Sequence, residues 1–223
     1  MKYRHEIKHE ISYSDMLVLR TRLKAVMKAD SHCIDGKYEI RSLYFDNADD
    51  KALREKIDGV NIREKFRIRY YNGDTSFITL EKKGKLNGLC SKESVNITPE
   101  ETQKIIDGDL LWMVNDERKL ITELYSKMMS QGIRPKTIVD YTREPFVFSP
   151  GNVRVTLDYD IRTGLASTDI FNTETVSASV DALPVILEVK WDEFLPDIIR
   201  DAVSLESRHS AAFSKYAQCR IYG

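Results

Sequence analysis

The sequence predicts an α+β fold, mainly antiparallel sheet with helices packed outside it. Three observations carry this. Eight segments alternate apolar and polar residues with the period of a strand, near residues 3–11, 37–46, 61–71, 75–83, 91–97, 137–147, 153–160 and 184–191. Three connections between them are too short for parallel neighbours. The stretches between the others carry helix caps or apolar stripes at helical spacing.

The elements follow in order. After the first strand, Ser14 is placed to cap a helix whose Met16, Leu19, Leu23, Val26 and Met27 make one apolar stripe. Asn72-Gly73-Asp74 reads as the turn between the third and fourth strands, because Asn and Gly tolerate positive φ. Gly84 to Gly88 is expected to join the fourth strand to the fifth. Thr98-Pro99-Glu100-Glu101 combines a capping box with proline in the first helical turn. Asn115 to Gln131 predicts a longer helix stopped by Gly132. Ser149-Pro150-Gly151-Asn152 turns the sixth strand into the seventh, and two further helices are expected near 196–204 and 207–219. No linker, repeat or low-complexity stretch divides the chain, so residues 1–223 are expected to form a single domain.

Bulk composition bounds the function. Of 223 residues, 42% are hydrophobic, which argues against disorder, and 31% are charged, above the usual quarter. The formal net charge is only -1, so any electrostatic function has to come from local segregation of charge. Near-neutrality and the lack of exposed aromatic platforms on the basic strands argue against a nucleic-acid binder. Cys33, Cys90 and Cys219 are odd in number and form no CxxC pair, which fits a reducing cytoplasm. They read as plain thiols, and His5, His9, His32 and His209 show no ligand spacing. The charged start Met1-Lys2-Tyr3-Arg4 is not a signal peptide, and no apolar run is long enough to span a membrane. The expectation is a soluble cytoplasmic protein, with recruitment by a membrane-protein partner left open.

The strand Arg63-Glu64-Lys65-Phe66-Arg67-Ile68-Arg69-Tyr70 is the most informative segment. Side chains alternate faces along a strand, so Arg63, Lys65, Arg67 and Arg69 share one face while Ile62, Phe66, Ile68 and Tyr70 share the other, Glu64 excepted. Other strands repeat the pattern: Arg4, Glu6 and Lys8; Glu81 and Lys83; Arg154, Thr156 and Asp158; Glu188 and Lys190. Such rows suit either a flat sheet with its ionic side in water or a closed barrel with its ionic side within. An enclosed row needs an offset, since two like charges about 4 Å apart repel by roughly 4 kcal/mol at an effective dielectric near 20. The bases outnumber the carboxylates, so the expected ligand is a polyanion, and Arg offers a fork of donors suited to phosphate oxygens. Glu81 and Glu188 could hold a hard divalent cation. Glu6, Glu81 and Glu188 could instead pair with a neighbouring lysine or arginine, and Asp158 could instead cap a turn. Tyr44, Phe45 and Tyr70 read most simply as packing residues.

Five segments occur in a telling order: Ser42-Leu43-Tyr44-Phe45-Asp46-Asn47, Lys65-Phe66-Arg67-Ile68-Arg69-Tyr70, Leu80-Glu81-Lys82-Lys83, Leu187-Glu188-Val189-Lys190 and Phe213-Ser214-Lys215-Tyr216. Together they resemble the VTC-type polyphosphate polymerase domain, a branch of the triphosphate tunnel metalloenzymes that also include CYTH-type adenylate cyclases and thiamine-triphosphatases. The resemblance spans about residues 3 to 222. It implies a closed eight-stranded antiparallel β-barrel, a basic tunnel that grips the triphosphate of ATP while an inorganic polyphosphate chain grows through it. It implies that Lys8, Lys65, Arg67, Arg69, Lys83, Arg143, Arg154, Lys190 and Lys215 bind phosphate. Of these, Arg67, Arg69, Lys83, Arg143, Lys190 and Lys215 would stabilise phosphoryl transfer. Glu188 would bind a divalent metal, Mn²⁺ or Mg²⁺, with Glu6, Glu81 and Asp158 as further candidates. The motifs leave polymer synthesis, triphosphate hydrolysis and simple polyphosphate binding open.

Overall fold

The computed structural model describes residues 4–87, 89–174, 178–179, 185–205 and 213–221. All eight expected strands are present: β1 (His5–Ile11), β3 (Tyr38–Asp46), β4 (Ile62–Tyr71), β5 (Asp74–Leu86), β6 (Leu89–Ile97), β7 (Arg134–Phe148), β8 (Val153–Thr163) and β10 (Val185–Trp191). Two-residue strands β2 (Lys28–Ala29) and β9 (Ala178–Ser179) pair with β7 and β8. The main order is β1-β10-β8-β7-β3-β4-β5-β6, antiparallel throughout.

The sheet is curled. Strand twist accumulates, and bulges at Tyr44/Phe45, between Arg69 and Tyr71, and between Asp140 and Thr142 bend it further. Among the described residues its two edges meet at one antiparallel bridge, Arg4 to Cys90, in place of a continuous ladder between β1 and β6. The sequence expectation of a closed barrel is thus met only as a curled antiparallel sheet with helices.

Helices cover the convex side in two groups. Met16, Leu19 and Leu23 of α1 (Tyr13–Val26) and Ile199 of α5 (Asp197–Val203) bury against Val155, Leu157, Leu187 and Val189. Ile105 of α3 (Pro99–Asp107) and Leu120, Ile121, Leu124 and Met128 of α4 (Lys119–Gln131) bury against Phe66, Ile68, Ile78 and Leu80. Fully burying such side chains stabilises the fold by about 1.5–3 kcal/mol each. The apolar partners of the ionic rows therefore face outward into these cores, and the ionic rows face the concave side.

Several local expectations need correction. Ser12, not Ser14, caps α1: its hydroxyl accepts from the Asp15 amide at 3.1 Å while Asp15 accepts from the Ser12 amide at 3.0 Å. A reciprocal capping box outcompetes a lone serine two residues on. Gly84 is not in a turn. It sits inside β5 opposite Ser91, where an added Cβ would lie 2.7 Å from the serine hydroxyl, and β5 runs on to Leu86. Helix α4 starts at Lys119, after a 3-10 turn at Leu111–Met113, and not at Asn115. The last helix begins only at Lys215 (α6, Lys215–Ile221), and residues 206–212 lie outside the described residues, His209 among them. Arg4 shares the parity of Glu6 and Lys8, yet its guanidinium turns to Asp192 at 2.8 Å. The capping box at Thr98 and the turns at Asn72-Gly73 and Pro150-Gly151-Asn152 form as expected.

One helix was missed, α2 (Lys51–Ile57), which fully buries none of its residues. Asp46, itself buried, holds it by accepting the Ala52 and Leu53 amides at 2.8 and 3.2 Å. The same carboxylate accepts the Tyr216 hydroxyl at 2.6 Å, and Tyr216 stacks on Tyr44 with ring centroids 5.2 Å apart. The Ser42–Asn47 and Phe213–Tyr216 segments are therefore in contact, and together they seat α6 in the concave face. Tyr216→Phe removes a buried charge-assisted hydrogen bond, so unfolding in urea is expected to show a loss of about 1.5–3 kcal/mol. An unchanged midpoint would mean that Asp46 does not anchor α6.

Candidate functional site

Strand parity places the ionic residues and the packing of α6 fixes the rest. On β4 the concave row is Lys65, Arg67, Arg69. Arg67 lies 2.6 Å from Glu81 of the neighbouring β5 and donates to the Tyr44 hydroxyl at 2.9 Å. Lys92 reaches the other Glu81 oxygen at 2.7 Å. Arg69 is 3% exposed and donates to the Ser42 and Tyr141 hydroxyls, both at 2.9 Å, with no carboxylate in its reach among the described residues. Lys65 also lacks a carboxylate partner among the described residues, and its ammonium stands 5.2 Å from the Tyr44 ring centroid.

A second group joins β1, β5 and β10. Lys8 bonds Glu6 at 2.8 Å and Glu188 at 3.1 Å. Lys190 contacts the same two acids, Glu6 at 3.4 Å and Glu188 more closely. Lys83 reaches Glu6 at 3.2 Å, which links β5 to the far edge strand β1. A third group centres on Asp158, which is fully buried. Arg143 of β7 grips it through two bonds of 2.6 and 2.7 Å, and Lys215 of α6 adds one of 2.5 Å. The alternative that Asp158 caps a turn does not hold. Arg154 lies at one rim, 3.1 Å from Asp30 and 2.5 Å from the Tyr38 hydroxyl. The buried Thr156 hydroxyl, between Arg154 and Asp158 on β8, has no hydrogen-bond partner among the described residues.

The expected residues thus fall on one face, in three linked groups with Arg154 at the edge. Counted there, nine cations (Lys8, Lys65, Arg67, Arg69, Lys83, Lys92, Arg143, Lys190, Lys215) face the four expected carboxylates (Glu6, Glu81, Asp158, Glu188). The excess shows in the titration. Burial, helped by Lys83 and Arg67, brings the Lys65 ammonium down to about 7. Burial and Lys8 bring Lys83 down to about 8 against the pull of Glu6. Burial raises the Tyr44 phenol, but Arg67, Lys65 and Arg69 outweigh it and lower it. Burial also raises Glu6 and Asp158, yet their cationic neighbours hold both at about 2, and Glu188 lies well below the usual carboxylate range.

The sign of the acid dependence follows. Glu6 and Asp158 take up protons more readily unfolded, near 4.5 and 3.8, than folded, near 2. Their contribution to stability is whole above pH about 4.5 and is lost as pH falls toward 2. Urea midpoints measured from pH 6 to 2 should drop through that window, and Asp158→Asn should flatten the drop. A flat wild-type profile would contradict the pairing.

Sequence reasoning missed Tyr141, Ser42 and Lys92 as companions of the cations, while Thr156 was placed in the ionic row of β8 by parity. Ser42 shares strand parity with the inward Tyr44, a signal that could have flagged it. Tyr44 is a packing residue as expected, but it also accepts from Arg67. Phe45 and Tyr70 pack in the outer core.

Fold and face together define an α+β protein whose curled antiparallel sheet carries an ion-paired, cation-rich concave side. The chain belongs to the VTC domain family, whose model matches residues 3–222. Among solved structures, PH1012 of Pyrococcus horikoshii is 10% identical with a TM-score of 0.51, covering 95% of this chain and 96% of that one. PH1819 of the same organism is 15% identical, TM-score 0.45, covering 90% and 84%. A candidate adenylate cyclase from Bacillus halodurans is 12% identical, TM-score 0.48, covering 85% and 80%. The likeness to PH1012 concerns the fold alone. No curated protein sequence matches the chain. No described helix is long and apolar enough to cross a membrane.

Proposed function

We propose that the chain is a metal-dependent phosphotransferase that moves the terminal phosphoryl group of a nucleoside triphosphate such as ATP onto an inorganic polyphosphate chain. The observation that carries this is the cation excess on the concave face, with Lys65 and Arg69 lacking a carboxylate ion-pair partner among the described residues. Membership of the VTC family supports it. In this reading residues 1–223 act as one unit, and the curled sheet closes into a tunnel. The Arg4–Cys90 bridge, from the residue before β1 to the opposite edge strand β6, and the Glu6–Lys83 ion pair, from β1 to β5 beside that edge, support that closure.

Phosphoryl transfer asks the protein mainly for alignment and charge stabilisation. Arg67, Arg69, Lys83, Arg143, Lys190 and Lys215 would align the phosphate chain and balance charge on its oxygens, with Lys8 and Lys65 extending the cradle. The donor set fits a hard cation. Glu6 and Glu188 are close enough to share both Lys8 and Lys190, and Mg²⁺ usually takes one or two carboxylates together with substrate phosphates. No group of three or more ligating acids, histidines or cysteines forms among the described residues. Glu81 and Asp158 each stand as the one carboxylate of their group among the described residues, whereas Glu6 and Glu188 share two lysines, so Glu188 with Glu6 is the pair that would hold Mn²⁺ or Mg²⁺ in exchange for lysine contacts. Bound there, the ion would neutralise charge on the transferred group.

The test is incubation with ATP and Mn²⁺ or Mg²⁺, followed by separation of long chains from orthophosphate. Long chains are the expected product. Orthophosphate alone would make the protein a triphosphatase, and binding without turnover under either metal would make it a polyphosphate-binding module.

A further inference from the structure

The two ends of the concave face differ in chemistry. At one end a cavity of about 200 Å³ is lined by Lys56, Arg63, Lys65, Lys83 and Lys85. At the other, the inward row changes character on three strands. On β4, Arg67 and Arg69 give way to Tyr71; on β5, Lys83 and Glu81 give way, beyond Thr79, to Phe77 near the strand's start; on β3 the row begins with Tyr38, while β8 keeps Arg154 at this rim. These three rings, with Ile34, Asp30 and Arg154, line a cavity of about 480 Å³. Phe77 is 53% exposed and Ile34 is 63% exposed, so this rim leaves apolar surface in water. Tyr71 and Tyr38 meet edge to face at 5.4 Å, which fixes both planes. The rim is continuous with the cationic row: the Arg69 guanidinium stands 5.9 Å from the Tyr71 ring centroid, and Tyr38 lies opposite Arg143 in the ladder.

A planar heterocycle joined to a chain of phosphates has the same distribution, apolar and aromatic at one end and densely anionic at the other. The geometry points to a nucleoside subsite at the Tyr38–Tyr71–Phe77 rim, which would give the face a direction. The base and ribose of a nucleotide rest at this end, and its phosphates run inward past Arg69 and Arg143 toward the Lys65 end. The inference rests on the reading of the concave face as a triphosphate site. The rim carboxylates Asp30 and Asp74 offer acceptors for ribose hydroxyls, and Arg154 faces the first phosphate.

The test compares ATP with inorganic triphosphate by calorimetric titration of wild-type protein and Phe77→Ala. Phe77 is exposed enough for the variant to fold, and Tyr71→Leu provides a second measurement from the neighbouring strand. Loss of one stacking ring should lower the affinity for ATP about tenfold relative to that for inorganic triphosphate. If wild type binds both ligands and neither variant changes their ratio, the subsite is wrong while the triphosphate reading stands. If wild type binds neither ligand, the triphosphate reading fails and the subsite falls with it.

Discussion

Glu188→Gln is expected to cut metal-dependent turnover by at least about a hundredfold while leaving the affinity for inorganic triphosphate, measured without metal, equal to or higher than that of wild type. Glu188 is 4% exposed and bonds Lys8 and Lys190, which hold it in its charged form well below the usual range. Neutralising it takes one of four negative charges from a face that already has a cation excess. A unit charge at about 4 Å is worth roughly 4 kcal/mol at an effective dielectric near 20, so the released lysines should hold phosphate no less well. Turnover should fall because the pair Glu6–Glu188 loses the charge that would anchor the divalent ion. A purely ion-pairing Glu188 would behave differently. Its loss would loosen β1 on β10, lower stability and shift binding and turnover together. Full activity in Glu188→Gln, or a parallel loss of both quantities, would count against the metal assignment.

Lys65→Met should move stability and binding in opposite directions. The Lys65 ammonium has no carboxylate partner among the described residues, and burial together with Lys83 and Arg67 disfavours its charged form. Its folded-state value of about 7 lies below the ordinary 10.5, so the unfolded chain binds more protons between those limits. The penalty is complete below pH about 7 and is relieved as pH rises toward 10.5. Lys65→Met should therefore stabilise the protein by about 1–2 kcal/mol at neutral pH. It should also shrink the gain in stability between pH 7 and 10, leaving the part that Lys83 contributes, and weaken triphosphate binding at least about tenfold. Urea unfolding at several pH values and a triphosphate titration check all three. A destabilised variant would mean that Lys65 has a counter-ion and is not reserved for a ligand.

These expectations lean on features that differ in how far the sequence discloses them. The eight strands were legible because each buries one face in an outer core and shows the other to the concave side, which imposes strict alternation on segments such as Lys65–Tyr70. Helix α2 was not legible: none of its residues is fully buried, only Ala52 and Leu53 pack on the core, it follows Asp50 in a left-handed conformation, and it is held by Asp46. Curvature was also hidden. The bulge at Tyr44/Phe45 shifts register by one residue and the irregularity between Arg69 and Tyr71 by three, and alternation alone does not reveal which residues are extra. The membership of the ionic face could be read from parity, but its pairings could not. Asp158 meets Arg143 across one strand pair and Lys215 from a helix 57 residues further on. Asp46 and Tyr216 were visible as motif residues, yet nothing local showed that the two motifs touch.

A crystal structure of the protein grown with inorganic triphosphate tests the central claim most directly. The account predicts the anion on the concave face, with oxygens within hydrogen-bond distance of Lys65, Arg67 and Arg69 and with Lys83 turned from Glu6 toward phosphate. Triphosphate bound only on the convex or helical surface, with Lys65 and Arg69 untouched, would contradict it.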